Sequence, residues 1–194
     1  MFLGFRALRT WQPGDWLGPM AGRIDWIASA DGYEPEGWIE RWDFNRAACW
    51  NTEEMAWAAV PAIDRAEYQL YAYRLLPVFY REGDPPARRT LDEIYRLLQT
   101  PLPVETSPAG FVSLGFDVVG LDILDYGPTL GFQTSPLSTC SMCQETPVNR
   151  FCLIDRVDDA MAFAARCNRE LPEPEFFYVV EVLGSQGSNM VCLD

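Results

Sequence analysis

The sequence contains no histidine and no lysine; all fifteen of its basic residues are arginine. These absences remove whole reaction classes. A Ser-His-Asp triad, a Cys-His pair and an H-E-x-x-H zinc site all need histidine. A P-loop and a Schiff base need lysine. Catalysis would fall to Asp, Glu, Cys, Tyr, Ser, Arg or a bound cofactor. Long apolar runs are also missing: none approaches the roughly 18–20 residues of a membrane helix. The opening stretch MFLGFRALRT has two arginines and no apolar segment with a cleavage site. No signal peptide is therefore expected, and the location expected is cytoplasmic with no membrane partner.

Positive charge is scarce. The net charge is −13. Residues 1–97 hold eleven arginines against fifteen acids, and residues 98–194 hold four against thirteen. Such a surface repels phosphate backbones, so no nucleic-acid partner is expected. It attracts a basic protein and speeds that encounter at low salt. With 48% hydrophobic residues in 194, the chain can bury a real core.

What is present looks partly repeated. Shifted by 106 residues, Met55-Ala56-Trp57-Ala58-Ala59 falls on Met161-Ala162-Phe163-Ala164-Ala165. LYAYRLL (70–76) then meets FFYVVEV (176–182), and both are β-prone. NRAAC (45–49) echoes NRFC (149–152), which aligns Cys49 with Cys152, and GFRALRTW (4–11) echoes GFDVVGLDI (115–123). The predicted fold is α+β, in two pseudo-symmetric strand–loop–helix–strand halves, 1–100 and 101–194, related by internal duplication and packed as one unit.

Strands are predicted near 2–10, 67–80, 111–124 and 176–183. A helix over 52–60 is capped by Asn51 or Thr52 and stopped by Pro61. A middle helix starts at the capping box Thr90-Leu91-Asp92-Glu93 and ends before Pro101. A third helix, over 156–168, is capped by Asp155. Its apolar stripe reads Val157, Ala160, Met161, Ala164 and Ala165.

Two long segments, 12–50 and 125–154, separate strand from helix in each half. Long loops on a rigid scaffold are common binding places. All seven tryptophans lie within residues 11–57. Trp16, Trp26, Trp38 and Trp42 are candidate binding residues, because tryptophan and arginine anchor protein interfaces. For most of them the expected role is a small core for the loop itself, with one or two exposed. Asn45-Arg46 and Asn149-Arg150 recur at matching places. Guanidinium groups grip carboxylates or phosphates, whereas structurally asparagine fixes turns and arginine covers apolar edges.

Cys140-x-x-Cys143 is half of a zinc site, which Cys152 and Cys167 could complete. No second C-x-x-C and no histidine pair accompanies it. Asp117 and Asp125 share a strand face but stand roughly 27 Å apart. A glycosidase pair needs about 5–10 Å, so these aspartates read as strand-end markers. No catalytic residue is assigned. The function expected is a non-catalytic protein-binding module, an acidic antagonist of the immunity-protein kind that engages a basic partner. The alternatives are a small-ligand or enzyme site between the two long loops, and a zinc-stabilised module.

Overall fold

The structure is a computed structural model. It describes residues 1–30, 32, 34–37, 44–76, 108–123, 130–132, 134–139, 145–171 and 176–185. The predicted middle helix, most of the joint at 101–110, Trp38, Trp42, Cys140, Cys143 and Asp125 lie outside these residues.

Five strands form one antiparallel sheet: β1 (Phe2–Arg9), β2 (Tyr68–Leu75), β3 (Phe111–Ile123), β4 (Leu130–Phe132) and β5 (Phe176–Ser185). Their order is β1-β2-β5-β3-β4. Among the described residues, three α-helices accompany them: α1 (Glu53–Ala59), α2 (Pro136–Thr139) and α3 (Val157–Glu170). Short 3-10 segments cover Asp15–Arg23 and Arg65–Glu67. The fold is mixed α+β. Among the described residues, no helix is long and apolar enough to cross a membrane.

The strands bury both faces, so they read as near-continuous apolar runs. On one face, Phe5, Ala7, Leu70, Ala72 and Leu183 pack with Ala56 and Ala59 of α1. Val118, Phe177 and Val179 pack with Ala160, Phe163, Ala164 and Cys167 of α3. Alternate residues point the other way. There Tyr71, Tyr73, Leu75, Val119, Val180 and Val182 meet Ala28, Ala30, Ala47, Cys49 and Leu153 from the long segments. The layers are helices, sheet and long connecting segments.

Local signals explain the helix starts in part. Thr52 caps α1, its hydroxyl oxygen accepting from the Met55 N–H at 3.2 Å. Asp155 does not cap α3. Arg156 holds the N-cap place without a side-chain bond, and the Asp155 carboxylate accepts from Asn149 instead. The buried stripe of α3 is also turned by one position. Ala160, Phe163, Ala164 and Cys167 are buried, while Val157 and Ala165 are exposed.

The matching pentapeptides are out of phase in burial. Ala56 is buried and its match Ala162 is exposed; Ala58 is exposed and its match Ala164 is buried. Counting instead from the N-caps, Thr52 and Arg156, the buried Ala56, Ala59 and Val60 fall on the buried Ala160, Phe163 and Ala164. Alanine tolerates either environment, so identity of letters does not fix the phase.

Candidate functional site: two asparagine turns and an acidic cleft

Helices α1 and α3 are each preceded by a turn built on asparagine. The Asn45 Nδ2 donates to the Leu3 carbonyl at 2.9 Å and to Asn51 Oδ1 at 3.0 Å. Its Oδ1 accepts from the N–H of Ala47 at 2.8 Å and of Cys49 at 3.3 Å. Asn149 does the same. Its Nδ2 donates to the Leu114 carbonyl at 2.7 Å and to Asp155 Oδ1 at 2.8 Å. Its Oδ1 accepts from the N–H of Phe151 at 2.9 Å and of Leu153 at 3.2 Å. Both amides therefore spend their full hydrogen-bonding capacity inside the protein.

The surroundings correspond as well. Ala48 and Cys152 take left-handed backbone angles, φ 51° and 59°, within the two turns. Cys152 therefore corresponds to Ala48, and Cys49 to Leu153, one position away from the alignment of the two cysteines. Each turn pairs with its strand through Phe5–Trp50 or Phe116–Ile154. The close approach requires glycine. A Cβ on Gly4 would stand 2.6 Å from the Trp50 carbonyl oxygen, and one on Gly115 would stand 3.0 Å from that of Ile154. Their φ values, +127° and +137°, exclude ordinary side chains independently.

The asparagine-arginine pairs do not share one pocket. Their turns lean on β1 and β3, which β2 and β5 separate, a span of roughly 14 Å. Arg150 pairs with Asp25, and its guanidinium lies 5.3 Å from the Phe151 ring centre. Arg46 is exposed. Trp26 is half-buried; its Nε1 donates to the Tyr71 hydroxyl at 3.1 Å, and its ring lies 4.9 Å from that of Phe151. Trp50 is fully buried. Trp16 falls in the 3-10 segment Asp15–Arg23.

Cys49, Cys152 and Cys167 are buried free thiols. Burial pushes the Cys49 thiol up to about 12, with Arg6 acting weakly against it. At neutral pH it is neither thiolate nor nucleophile. Cys152 donates to the Leu137 carbonyl at 3.3 Å. Among the described residues, no three Cys, Asp or Glu side chains come together to hold a metal.

Arg6, which the sequence did not single out, and Asp117, expected at a strand end, are both conspicuous. Arg6 is 2% exposed and Asp117 is 0% exposed, both in mid-strand. Asp117 is not a strand-end marker. Its carboxylate accepts from the Ser29 hydroxyl at 3.0 Å, the Ala30 N–H at 2.7 Å, the Val118 N–H at 2.8 Å and the Ser135 hydroxyl at 2.6 Å. It thus ties both long segments to the sheet. Arg6 donates to the Ala30 carbonyl and pairs with Glu34. Its guanidinium lies 4.7 Å from the Phe132 ring centre. A lone charge inside a strand as apolar as FLGFRAL was the available sign, because buried charges need partners.

Glu34 leads outward to a cleft of about 550 Å³. Arg9, Thr10, Trp11, Pro61 and Tyr68 line it together with Glu34, Glu36, Asp64 and Glu67. Arg6 holds Glu34, and Arg9 holds Glu67. Glu36 and Asp64 form no ion pair among the described residues, and Asp64 makes no side-chain cap bond to the 3-10 turn it precedes. Burial raises the Tyr68 hydroxyl above its usual range; Arg9 opposes this, and the negative Asp64, Glu67 and Glu36 add to it. The carboxylates thus converge on one aromatic wall. Aromatic faces and carboxylates both attract guanidinium and ammonium groups.

Comparison with known protein families, curated proteins and solved structures finds no match to this chain.

Proposed function

We propose that this protein is a non-catalytic binding module whose acidic surface engages a basic protein, in the manner of an intracellular antagonist. The observation that carries the reading is the cleft beside Tyr68. Two of its four carboxylates, Glu36 and Asp64, have no cationic partner among the described residues. The net charge of −13 adds long-range steering toward a positive surface. The test is binding to a panel of small basic proteins at rising ionic strength. A complex formed in 50 mM salt should weaken about tenfold or more by 500 mM. Absence of any basic partner at low salt, or affinity indifferent to salt, would overturn the reading.

The scaffold fits an internal duplication, which we include in the proposal. The paired hydrogen bonds at Asn45 and Asn149, the two bulged glycines and the two N-caps support it. Strand register supports it too: Gly4 faces Tyr73, and Gly115 faces Val182. Tyr73 and Val182 also face each other across the middle of the sheet, where a pseudo-twofold axis would pass. Gly4 with Gly115, Asn45 with Asn149 and Tyr73 with Val182 are 111, 104 and 109 residues apart. The correspondence therefore carries insertions rather than one constant shift of 106.

A small-ligand or enzyme site under the long segments is the second reading. Buried Arg6 Nε and Tyr73 Oη favour it, since neither has a hydrogen-bond partner among the described residues. Tyr73→Phe separates the two. Unchanged or slightly raised stability with unchanged binding fits a mere packing role. Loss of small-molecule binding at unchanged stability supports the second reading.

A further inference from the structure

The segment between α1 and β2 stands out among the described residues by its exposed apolar crest. Among the described residues, Ile63 at its crest is 91% exposed, far beyond the other exposed large apolar residues, of which the next is Met1 at 45%. Pro61 and Ala62 beside it are exposed as well. An isoleucine held in water gives up roughly the transfer free energy that its burial would recover.

The crest is held in place by backbone bonds. The Asp64 N–H donates to the Pro61 carbonyl at 3.0 Å, and the Glu67 N–H donates to the Asp64 carbonyl at 2.8 Å. The Thr10 N–H fastens the far end to the Glu67 carbonyl at 2.7 Å. Presenting an apolar side chain on a constrained turn lowers the ordering cost of docking.

Acidic hollows flank this turn. Pro61, Asp64, Glu67 and Tyr68 contribute to the cleft of about 550 Å³. A second, more open hollow of about 590 Å³ is lined by Glu53, Glu54, Trp57 and Arg65. There the Arg65 guanidinium lies 5.9 Å from the Trp57 ring centre and donates to the Trp57 carbonyl at 3.4 Å, which braces the turn from its other side. Glu54 is held below its ordinary range, by its own backbone N–H first and then by Thr52. It therefore stays charged at neutral pH.

We infer that the Pro61–Glu67 turn is the docking surface for the basic protein partner, with Ile63 entering an apolar depression and the flanking carboxylates receiving basic side chains. This rests on the acidic-binder reading and gives it a place. The combination selects the class of partner. A small cation would leave Ile63 unused. Nucleic acids and anionic lipid surfaces would be repelled by the carboxylates. A protein with an apolar spot between arginines or lysines satisfies both features, and central apolar anchors ringed by charge are how such interfaces concentrate their energy.

The test uses a blocked Arg-Leu-Arg-Leu-Arg peptide and its Gln-for-Arg counterpart at low salt, followed by backbone amide NMR shifts and titrated affinity. Three variants are compared with the parent. Ile63→Ser removes the crest. The pair Glu36→Gln and Asp64→Asn removes two cleft charges. The pair Asp158→Asn and Asp159→Asn removes two charges from exposed positions on α3. Shifts should concentrate on residues 62–68 and Trp57. Ile63→Ser should weaken the arginine peptide about tenfold, the cleft pair about fivefold or more, and the α3 pair less than twofold. The glutamine peptide should not bind. Shifts centred elsewhere, or equal losses from the two charge pairs, would overturn this location and leave the acidic-binder reading standing. No binding of the arginine peptide to the parent protein at low salt would overturn both. Melting curves matching the parent's establish that the variants are folded.

Discussion

Replacing asparagine by aspartate in the two turns should destabilise unequally, and the difference should depend on pH. Asn45→Asp and Asn149→Asp each keep the acceptor oxygen that organises the turn and lose two N–H donors. In the first turn the lost bonds go to the Leu3 carbonyl and to Asn51. Asn51 can rotate its amide and donate to the new carboxylate. In the second turn the partners are the Leu114 carbonyl and Asp155. A carboxylate at 155 has no proton to offer, so two negative groups face each other. Losing donors to half-buried acceptors costs about 1–3 kcal/mol. The charge pair adds about 1 kcal/mol, because its solvent exposure discounts a larger Coulomb term. Asn149→Asp should therefore lie below Asn45→Asp by about 1–2 kcal/mol at pH 7.5.

The sign of the pH effect follows from linkage. Two carboxylates in contact raise the folded-state pKa of the pair above its unfolded value. The folded variant then binds more protons than the unfolded chain, so its stability falls as pH rises. The gap between the variants should narrow between pH 7.5 and about 4.5, because a repulsion of about 1 kcal/mol raises the pair's pKa by less than one unit above the ordinary carboxylate value of about 4. Urea unfolding followed by tryptophan fluorescence at both pH values measures it. Equal losses within about 0.3 kcal/mol, or a gap that does not move with pH, would refute the reasoning.

Gly4→Ala and Gly115→Ala should each cost about 3 kcal/mol or more, through positive φ and contacts of 2.6–3.0 Å with neighbouring turn atoms; denaturation midpoints check this, and a loss below 1 kcal/mol contradicts it. Cys49 should resist iodoacetamide in the native protein at pH 7.5 and react once urea unfolds it, as read by peptide mass mapping, because its thiol is buried and pushed up to about 12. A chelator should leave the melting temperature unchanged; stoichiometric zinc whose removal unfolds the chain would instead place Cys140 and Cys143 in a structural site.

Elements with strong local signals were legible in the sequence. The β-prone runs starting at Phe2, Tyr68, Phe111 and Phe176 became β1, β2, β3 and β5. Thr52 marked the start of α1 because a hydroxyl at that place satisfies a free N–H. The structural reading of asparagine as a turn-holder describes Asn45 and Asn149 as found. Strand order was not legible, since β2 meeting β5 depends on contacts more than a hundred residues apart. Nor was β4, three residues long and too short to carry a period. Asp155 misled because a capping residue and a turn partner look alike in one dimension. Of the acidic cleft, only the charge balance showed: Arg9, Trp11, Glu36, Asp64 and Tyr68 come from three separate segments. Ile63 gave no signal, because a single apolar residue in a loop is ordinary until its exposure is known.

The measurement that tests the central claim most directly is a native mass spectrum of the protein purified at low salt from its own host. The account predicts a complex with a basic polypeptide that dissociates as the ammonium acetate concentration rises. A salt-resistant mass increment of metal or small-molecule size, with no polypeptide bound, would contradict it.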